Sequence, residues 1–528
     1  MRAVVALGWA LVMMLGLSGM ALAGEEEASE KAATAPLARL LGEAAPELRA
    51  FYAARDRRPA WQERRTVAAF AEALQGLEGD GLEPRDYRPD ELLADYRRAH
   101  AGSDEEAQAR FELAATRRLL RAVEHLQRGR FDPREVEPSW EIPVAPARFD
   151  MPALSRAVES RHFAQAFAEA RPEHAAYTRL RDGLARYRRI ARLGGWPQLP
   201  AREDALRPGD VHDDVVVLRE RLAVIGELEV MAAGLAVPQP RRYDATLETA
   251  VERFQRRHLL ETDGIVGPRT RDALNVPVAR RIDQIRLNLE RARWLLHDLP
   301  EAFVLVDIAG YRIRYHRPNG ETWRSRIVVG QPYRHTPSLR SEITHLTVNP
   351  SWTIPPTILR EDVLPKVRRD LGYLWRERIQ VLSPSGEPLD PWRVDWEDPG
   401  NIVLRQVPGD DNPLGDLVIR FPNAHMVYLH DTPSQGLFGR EQRAFSSGCI
   451  RVQGVHELAQ LLFEDTGTAH DIRALVAAGR TRNVSLARRM PVILHYATVH
   501  ADAEGVLSFR PDIYGRDATL LAALDAPQ

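Results

Sequence analysis

The chain has a single cysteine, Cys449, so it can form no internal disulfide and holds no lipoprotein cysteine near its N-terminus. Lysine is nearly as scarce, with only Lys31 and Lys366, and arginine carries the positive charge. The formal net charge is −2, so neither a basic excess for nucleic acid nor an acidic excess for disorder is present. After residue 22 no segment is apolar enough to span a bilayer. No Gly-rich phosphate loop occurs, and the metal signatures fail on spacing. His456-Glu457 runs on to Gln460, where a zinc-protease helix needs a second histidine, and Asp410-Asp411-Asn412 lacks the rest of a calcium loop. These gaps favour a metal-free, cofactor-free chain and make the lone thiol the feature to explain. In an exported protein an unpaired thiol needs a use, although burial as a small hydrophobe is the commoner fate of free cysteine.

At 528 residues, and at roughly 100–200 residues per domain, the chain divides into several units of ordinary globular composition. Met1-Arg2, an apolar run from Ala3 to Leu22 and the small-x-small string Ala21-Leu22-Ala23 read as a secretory signal peptide over 1–23. The alternative is an inner-membrane anchor over 3–22. A Glu- and Ala-rich leader covers 24–36. From 37 to 200 the pattern is helical, for example Val67, Phe70, Ala71 and Leu74 at i, i+3, i+4 and i+7, which predicts a helical scaffold domain. A compact unit follows over 201–275, with short helices around Val215–Leu222, Leu247–Phe254 and Pro268–Leu274; Ile225 to Arg242 reads as a loop insertion. Residues 276–302 give a linking helix. From 303 to 500 short β-branched runs bounded by Gly, Pro and Asn predict a β-rich domain, interrupted by a lid at about 352–400 that includes a helical stretch from Ile358 to Arg378. Residues 501–528 read as a C-terminal tail, with a short terminal helix or tail past Gly515. The fold class is therefore multidomain α+β.

The chemistry concentrates in Val427-Tyr428-Leu429-His430-Asp431 and Arg443-Ala444-Phe445-Ser446-Ser447-Gly448-Cys449-Ile450-Arg451. A thiol is mostly protonated at neutral pH and needs a base or a positive field, and a histidine can take that proton and return it to a leaving amine. Gly448 permits a tight turn, so that amides around Cys449 can face a developing oxyanion. These are the parts of an acyl-transfer site.

The spacing resembles the YkuD-type L,D-transpeptidases, which carry a histidine, a gap of similar length and then Ser/Thr-His-Gly-Cys-x-Asn/Arg. His430 lies 19 positions before Cys449, with Ser446, Gly448, Cys449 and Arg451 in their places, while Ser447 replaces the second histidine and Asp431 the usual glycine. The Ser-Ser-Gly-Cys form and Asn349-Pro350-Ser351-Trp352-Thr353-Ile354-Pro355-Pro356 resemble the large YcbB-like branch. The string from Tyr243-Asp244 to Ala273-Leu274-Asn275 resembles a three-helix peptidoglycan-binding domain.

The resemblance implies that Cys449 attacks the carbonyl between residues three and four of a tetrapeptide stem and expels D-alanine. The amine of a neighbouring stem then gives a 3→3 cross-link. It implies His430 as base, oriented by the Asp431 carbonyl, and the Gly448 and Cys449 amides as oxyanion donors. Arg451 would hold the ring or a substrate carboxylate, or else sit in a structural salt bridge. Ser446 and Ser447 are hydrogen-bonding candidates on the substrate side. Trp352 either covers the site from the lid or fills a core. Tyr428 and His425 read first as structural, with His425 facing opposite to His430 on one strand; Tyr428 is also carried among the substrate-binding candidates. The implied partners are peptidoglycan stem peptides and glycan, and other wall-synthesis enzymes, for a periplasmic monomer that binds no nucleic acid. The resemblance further implies acylation of Cys449 by carbapenems. Hydrolysis at the same cysteine (an L,D-carboxypeptidase), a non-catalytic wall-binding scaffold, and attachment of an outer-membrane protein to the stem stay open.

Overall fold

The computed structural model describes residues 35–228 and 239–526. The expected signal peptide, most of the leader and the middle of the expected 225–242 insertion lie outside the described residues. Among the described residues no helix is long and apolar enough to cross a membrane.

The N-terminal part is helical, and its longest helix is Glu105–Arg128. Asp104 caps it by accepting from Ala107 N at 3.0 Å, and Glu105 and Glu106 in the first turn complement the helix dipole. Its buried face carries Phe111, Ala115, Leu119 and Leu126, packed with Phe51, Trp61, Phe70 and Phe163. Glu112 is buried in that core and accepts from Tyr52 Oη, Ala60 N, Trp61 N and Gln62 Nε2 at 2.7–3.0 Å. That core ends at Ala170. The next helix, Ala175–Arg192, falls in the stretch assigned to the scaffold from sequence, yet Tyr177, Leu184 and Ile190 pack with the following unit and the end of the chain.

That following unit has three helices, Asp213–Val224, Ala245–Arg257 and Pro268–Asn275, closed around Leu218, Leu222, Leu247, Val251, Phe254 and Leu274. The linking helix, Val278–Leu295, is the hub of the molecule. Its buried Arg291 pairs with Glu137 at 2.7 Å and Asp517 at 2.6 Å, and Arg286 with Glu83 at 2.7 Å. Arg293 pairs with Glu290 and donates to Asp80 O at 2.8 Å. Asn288 accepts from Thr498 N at 2.9 Å. Buried charges persist only when paired and hydrogen-bonded. One helix thus ties together segments that are hundreds of residues apart.

The strands are, in chain order, β1 Trp140–Glu141, β2 Phe303–Asp307, β3 Arg312–His316, β4 Thr322–Gly330, β5 Ser338–Val348, β6 Trp352–Thr353, β7 Ile379–Leu382, β8 Val403–Gln406, β9 Leu417–Arg420, β10 Leu429–His430, β11 Ala444–Ser446, β12 Ile450–Val452, β13 Arg482–His495, β14 Val499–Ala501 and β15 Leu507–Phe509. The order β5-β13-β2-β3-β4-β12-β10-β9 returns to β5 through the β5–β9 pairing, so eight strands close into a ring. β1 extends it beside β5, and β11 pairs with β4. Alternation sends Val304, Val306, Ile313, Tyr315, Ile327 and Val329 inward, where the helix Val455–Thr466 adds Leu458, Leu462 and Phe463. Closure removes the exposed edges that an open sheet of this length would carry.

The expected lid is a small body of its own. β6, β8 and β7 form a three-stranded sheet packed on helical turns between Pro356 and Arg376, around Ile354, Val363, Val367, Leu374 and Leu404. After residue 500, β15 pairs with β14, and the helix Arg516–Asp525, in the stretch past Gly515 read as a short terminal helix or tail, buries Leu520 and Leu524 against Trp140, Leu287 and Trp294. One expectation needs correction. The strand expected to carry both His425 and His430 begins only at Leu429, because Asn423 clamps a turn by accepting from Val427 N at 3.0 Å and donating to Val427 O at 2.8 Å. His425 lies in that turn and pairs with Glu141 at 2.8 Å, so the strand-face argument for it does not apply.

Candidate active site

β10 and β12 are parallel neighbours, with Leu429 opposite Ile450 and His430 opposite Arg451. Ile450 N donates to Tyr428 O at 3.0 Å, which extends the register back to the cysteine turn. Leu429 and Ile450 are fully buried in the barrel core. Since successive side chains alternate, Tyr428, His430, Cys449 and Arg451 share the opposite face of two strands about 4.8 Å apart. Residues 19 positions apart in sequence become neighbours through one strand pairing.

His430 is only 4 % exposed, and its Nδ1 lies 2.6 Å from Asp431 O. A carbonyl can only accept, so Nδ1 carries the hydrogen and Nε2 the lone pair. Burial and the Arg451 guanidinium hold His430 down at about 3, so it rests as a neutral base. The Tyr428 ring meets it edge-on at 5.6 Å. Burial pushes the Cys449 thiol up, against the pull of a hydrogen bond with Tyr428 and the charges of Arg420 and Arg451. Its Sγ lies 3.9 Å from Met426 O. Arg420 stands over the Tyr428 ring at 5.0 Å. Arg451 is half-buried, its Nε has no hydrogen-bond partner, and it makes no ion pair among the described residues. The site therefore holds a neutral thiol, a neutral imidazole and an uncompensated guanidinium.

The turn before Cys449 is fixed from several sides. Gly448 has φ +113, a backbone that side-chain-bearing residues rarely adopt. Its N–H donates to Ser446 Oγ at 3.1 Å, and Ser446 Oγ donates to Cys449 O at 2.5 Å. The Gly448 amide is thus engaged within the turn, which leaves the Cys449 amide as the candidate oxyanion donor. Thr336 Oγ1 donates to Gly448 O at 2.8 Å and accepts from Gly330 N at 2.9 Å. Tyr514 Oη accepts from Thr336 N at 3.1 Å and donates to Gly330 O at 2.8 Å. Gly330 is required here, since a Cβ on it would stand 2.1 Å from Arg334 O.

Ser447, exposed beside the cysteine, accepts from Arg334 Nη1 at 2.8 Å. The same guanidinium reaches Asp362 at 2.9 Å and also pairs with Glu361, both in the lid. Arg334 therefore ties the lid to the cysteine turn at the position where a second histidine is usual. Trp352 is partly buried and packs into the lid's own apolar cluster. The Asp431 side chain accepts from Asp416 N at 3.2 Å. Thr336, Tyr514, Arg334 and Arg420 carry no motif, and only the folded chain brings them to the site.

One cluster could hold a cation among the described residues. Asp416, Asp431 and His456 each offer a ligand atom, all within 4.8 Å of one another. The helix-spacing test applied to His456 could not find it, because its partners lie just before β9 and just after β10. The three side chains are half-buried, His456 lies 3.9 Å from Asp416, and exposed acidic groups of this kind are common without an ion.

This geometry sets a thiol, a neutral imidazole and a guanidinium on one face of a closed β-barrel, attached to a helical module and a helical scaffold. A model of a YkuD L,D-transpeptidase catalytic domain matches residues 301–472. A scaffold-domain model matches 46–184, and one described as a "Putative peptidoglycan binding domain" matches 211–274. The chain is thus built of a scaffold domain, a peptidoglycan-binding domain and a YkuD-type L,D-transpeptidase catalytic domain. It is 34% identical over 238 residues to a "Putative L,D-transpeptidase" of Haemophilus influenzae, a match covering 44% of this chain and 48% of that one. The chain spans about half the length of that curated relative. A crystallised L,D-transpeptidase fragment from Xylanimonas cellulosilytica aligns at 14% identity over 56% of this chain and 100% of its own, with a TM-score of 0.18, too low to equate the folds.

Proposed function

We propose that the protein is an L,D-transpeptidase that forms 3→3 peptidoglycan cross-links through an acyl-enzyme on Cys449. The observation that carries this reading is the parallel pairing of β10 with β12, with Cys449, His430 and Arg451 on one face. As a peptide carbonyl of the donor stem arrives, Sγ attacks the carbon between stem residues three and four, and the thiol proton passes to His430 Nε2. The oxyanion draws on the Cys449 amide. The C–N bond then breaks, the leaving D-alanine amine takes the proton from His430, and a thioester remains on Cys449. The amine of a second stem attacks that thioester, His430 takes its proton, and the thiol is restored as the new amide forms. The unpaired Arg451 guanidinium is suited to a stem carboxylate, which it can hold through two parallel donors.

The Arg334 link between the lid and Ser447 favours transfer over hydrolysis, because a lid that excludes water protects the thioester for the amine. A carboxypeptidase would use the same steps with water as acceptor. The apolar run 3–22 and the peptidoglycan-binding domain support export to the periplasm, with wall strands as substrate and other wall-synthesis enzymes as partners. The test incubates the purified full chain with disaccharide-tetrapeptide, beside Cys449→Ala, and reads product masses. A 3→3 dimer with loss of D-alanine, absent from the variant, is expected. Tripeptide alone would make the protein a carboxypeptidase, and no Cys449-dependent product would leave a non-catalytic wall-binding scaffold.

A further inference from the structure

A large cavity of about 880 Å³ is not lined by Cys449. It opens between the peptidoglycan-binding module and the barrel, and is lined by eight arginines against two glutamates. Four of the arginines come from one strand pair. β3 and β4 run antiparallel with Arg312 opposite Arg326 and Arg314 opposite Arg324. Alternation buries Ile313 and Tyr315 in the core, so all four guanidiniums stand on the outer face.

Like charges directly opposite across a sheet destabilise it, and this array holds two such pairs side by side. The local acids do little to offset them. Asp307 is 3.9 Å from Arg314 but is held at 2.6 Å by Arg510, and Glu441 is taken up by Arg269. Arg256, Arg312, Arg324 and Arg440 make no ion pair and no side-chain hydrogen bond among the described residues. The fields of Arg510, Arg326 and Arg324 add to burial in pushing Arg312 down from its ordinary value. A cost of this kind, concentrated on one wall of a large cavity, is what a site for an anion would carry. That the cations are arginines rather than lysines carries no information in a chain with two lysines.

The position of the cavity narrows the ligand. One wall is the module's Arg256, Leu260 and Arg269, and a smaller hollow of about 160 Å³, lined by Gln255, Asp263 and Thr270, continues from it into the module. The other end reaches Phe445, which is 41 % exposed on β11, four residues before Cys449. We propose that this cavity binds the free carboxylates of peptidoglycan stem peptides, holding a wall strand along a path from the binding module to the cysteine turn. The choice of ligand rests on the peptidoglycan reading above. The existence of a polyanion site rests on the arginine array alone.

The test is sedimentation with insoluble peptidoglycan, using the full chain carrying Cys449→Ala so that no product forms and binding is read independently of turnover. The variants are Arg312→Gln and Arg324→Gln, singly and together, with thermal unfolding measured on each. Retention is expected to fall about tenfold for each arginine removed, as for a lost charge-assisted hydrogen bond. It should fall likewise when the wall carboxylates are amidated, and weaken with salt. The double variant should unfold at or above the parent's temperature, since two like-charge oppositions are relieved. Unchanged retention in the double variant would overturn the site. A lower unfolding temperature would make the arginines structural and overturn it equally. Retention insensitive to amidation but abolished by inorganic polyphosphate would overturn the carboxylate assignment. A failed transpeptidase assay leaves every one of these readouts intact.

Discussion

The resting state of the cysteine and histidine makes a prediction that separates this site from a preformed thiolate–imidazolium pair. His430 is held down at about 3, while the Cys449 thiol is pushed above its ordinary value of 9.0. Moving the proton from sulfur to nitrogen before substrate arrives therefore runs uphill, since burial opposes the charged form of both groups. At pH 7 the thiolate fraction is below about 1%, and it grows tenfold per pH unit. Alkylation of Cys449 by iodoacetamide, followed from pH 5 to 9.5 by intact mass, should then be slow at neutral pH. Its rate should climb with unit slope and no plateau, and His430→Ala should leave the profile nearly unchanged. A plateau of fast alkylation between pH 5 and 7 that disappears in His430→Ala would show an ion pair and refute the argument. In the predicted case proton transfer accompanies attack on the substrate rather than preceding it.

Thr336→Val should destabilise the cysteine turn by about 1–3 kcal/mol for each buried group it orphans, Gly330 N and Gly448 O, and lower kcat while the chain stays folded. Circular dichroism beside turnover checks it, and full activity would remove Thr336 from the turn's support. Glu137→Ala leaves Arg291 with Asp517 alone and should cost about 3–5 kcal/mol in chemical denaturation, where a shift under about 1 kcal/mol would deny the linking helix its anchoring role. Acid should weaken the fold through its buried and half-buried histidines. His125, His430 and His500 are held at about 3 and His495 at about 4, all below the unfolded value of about 6.5. Between those values the unfolded chain binds more protons, so stability is intact above pH 6.5 and declines as pH falls toward 3. Denaturant midpoints that stay level from pH 6.5 to 4 would contradict this.

How much of this was legible in the sequence depended on whether the signal was local. The second helix of the binding module follows Leu247, Ala250, Val251 and Phe254 at i, i+3, i+4 and i+7, and the first and third stand where Val215–Leu222 and the Gly267-Pro268 start place them. Short β-branched runs showed the strand-rich domain, but not that eight strands close into a ring, because closure is set by long-range pairing such as β5 with β9. The first part of β13, Arg482 to Ser485 before the register shift, has Val484 as its one apolar residue and reads as polar. Cys449 and His430 were legible because their residue types and spacing carry chemistry. Thr336, Arg334 and Tyr514 were not, being ordinary residues whose importance lies in what the fold sets beside them. The arginine array was invisible for a different reason. Arginine is spread through the whole chain, and only the register of β3 on β4 concentrates it.

The account's central claim is that Cys449 carries the acyl group. It is tested most directly by incubating the full chain with tetrapeptide donor without an acceptor, quenching in acid, and mapping the adduct by mass spectrometry. The prediction is a tripeptide-stem adduct, with D-alanine lost, on the peptide containing Cys449, and no adduct in Cys449→Ala. Release of D-alanine by Cys449→Ala at the parent's rate, or an adduct on any other residue, would contradict it.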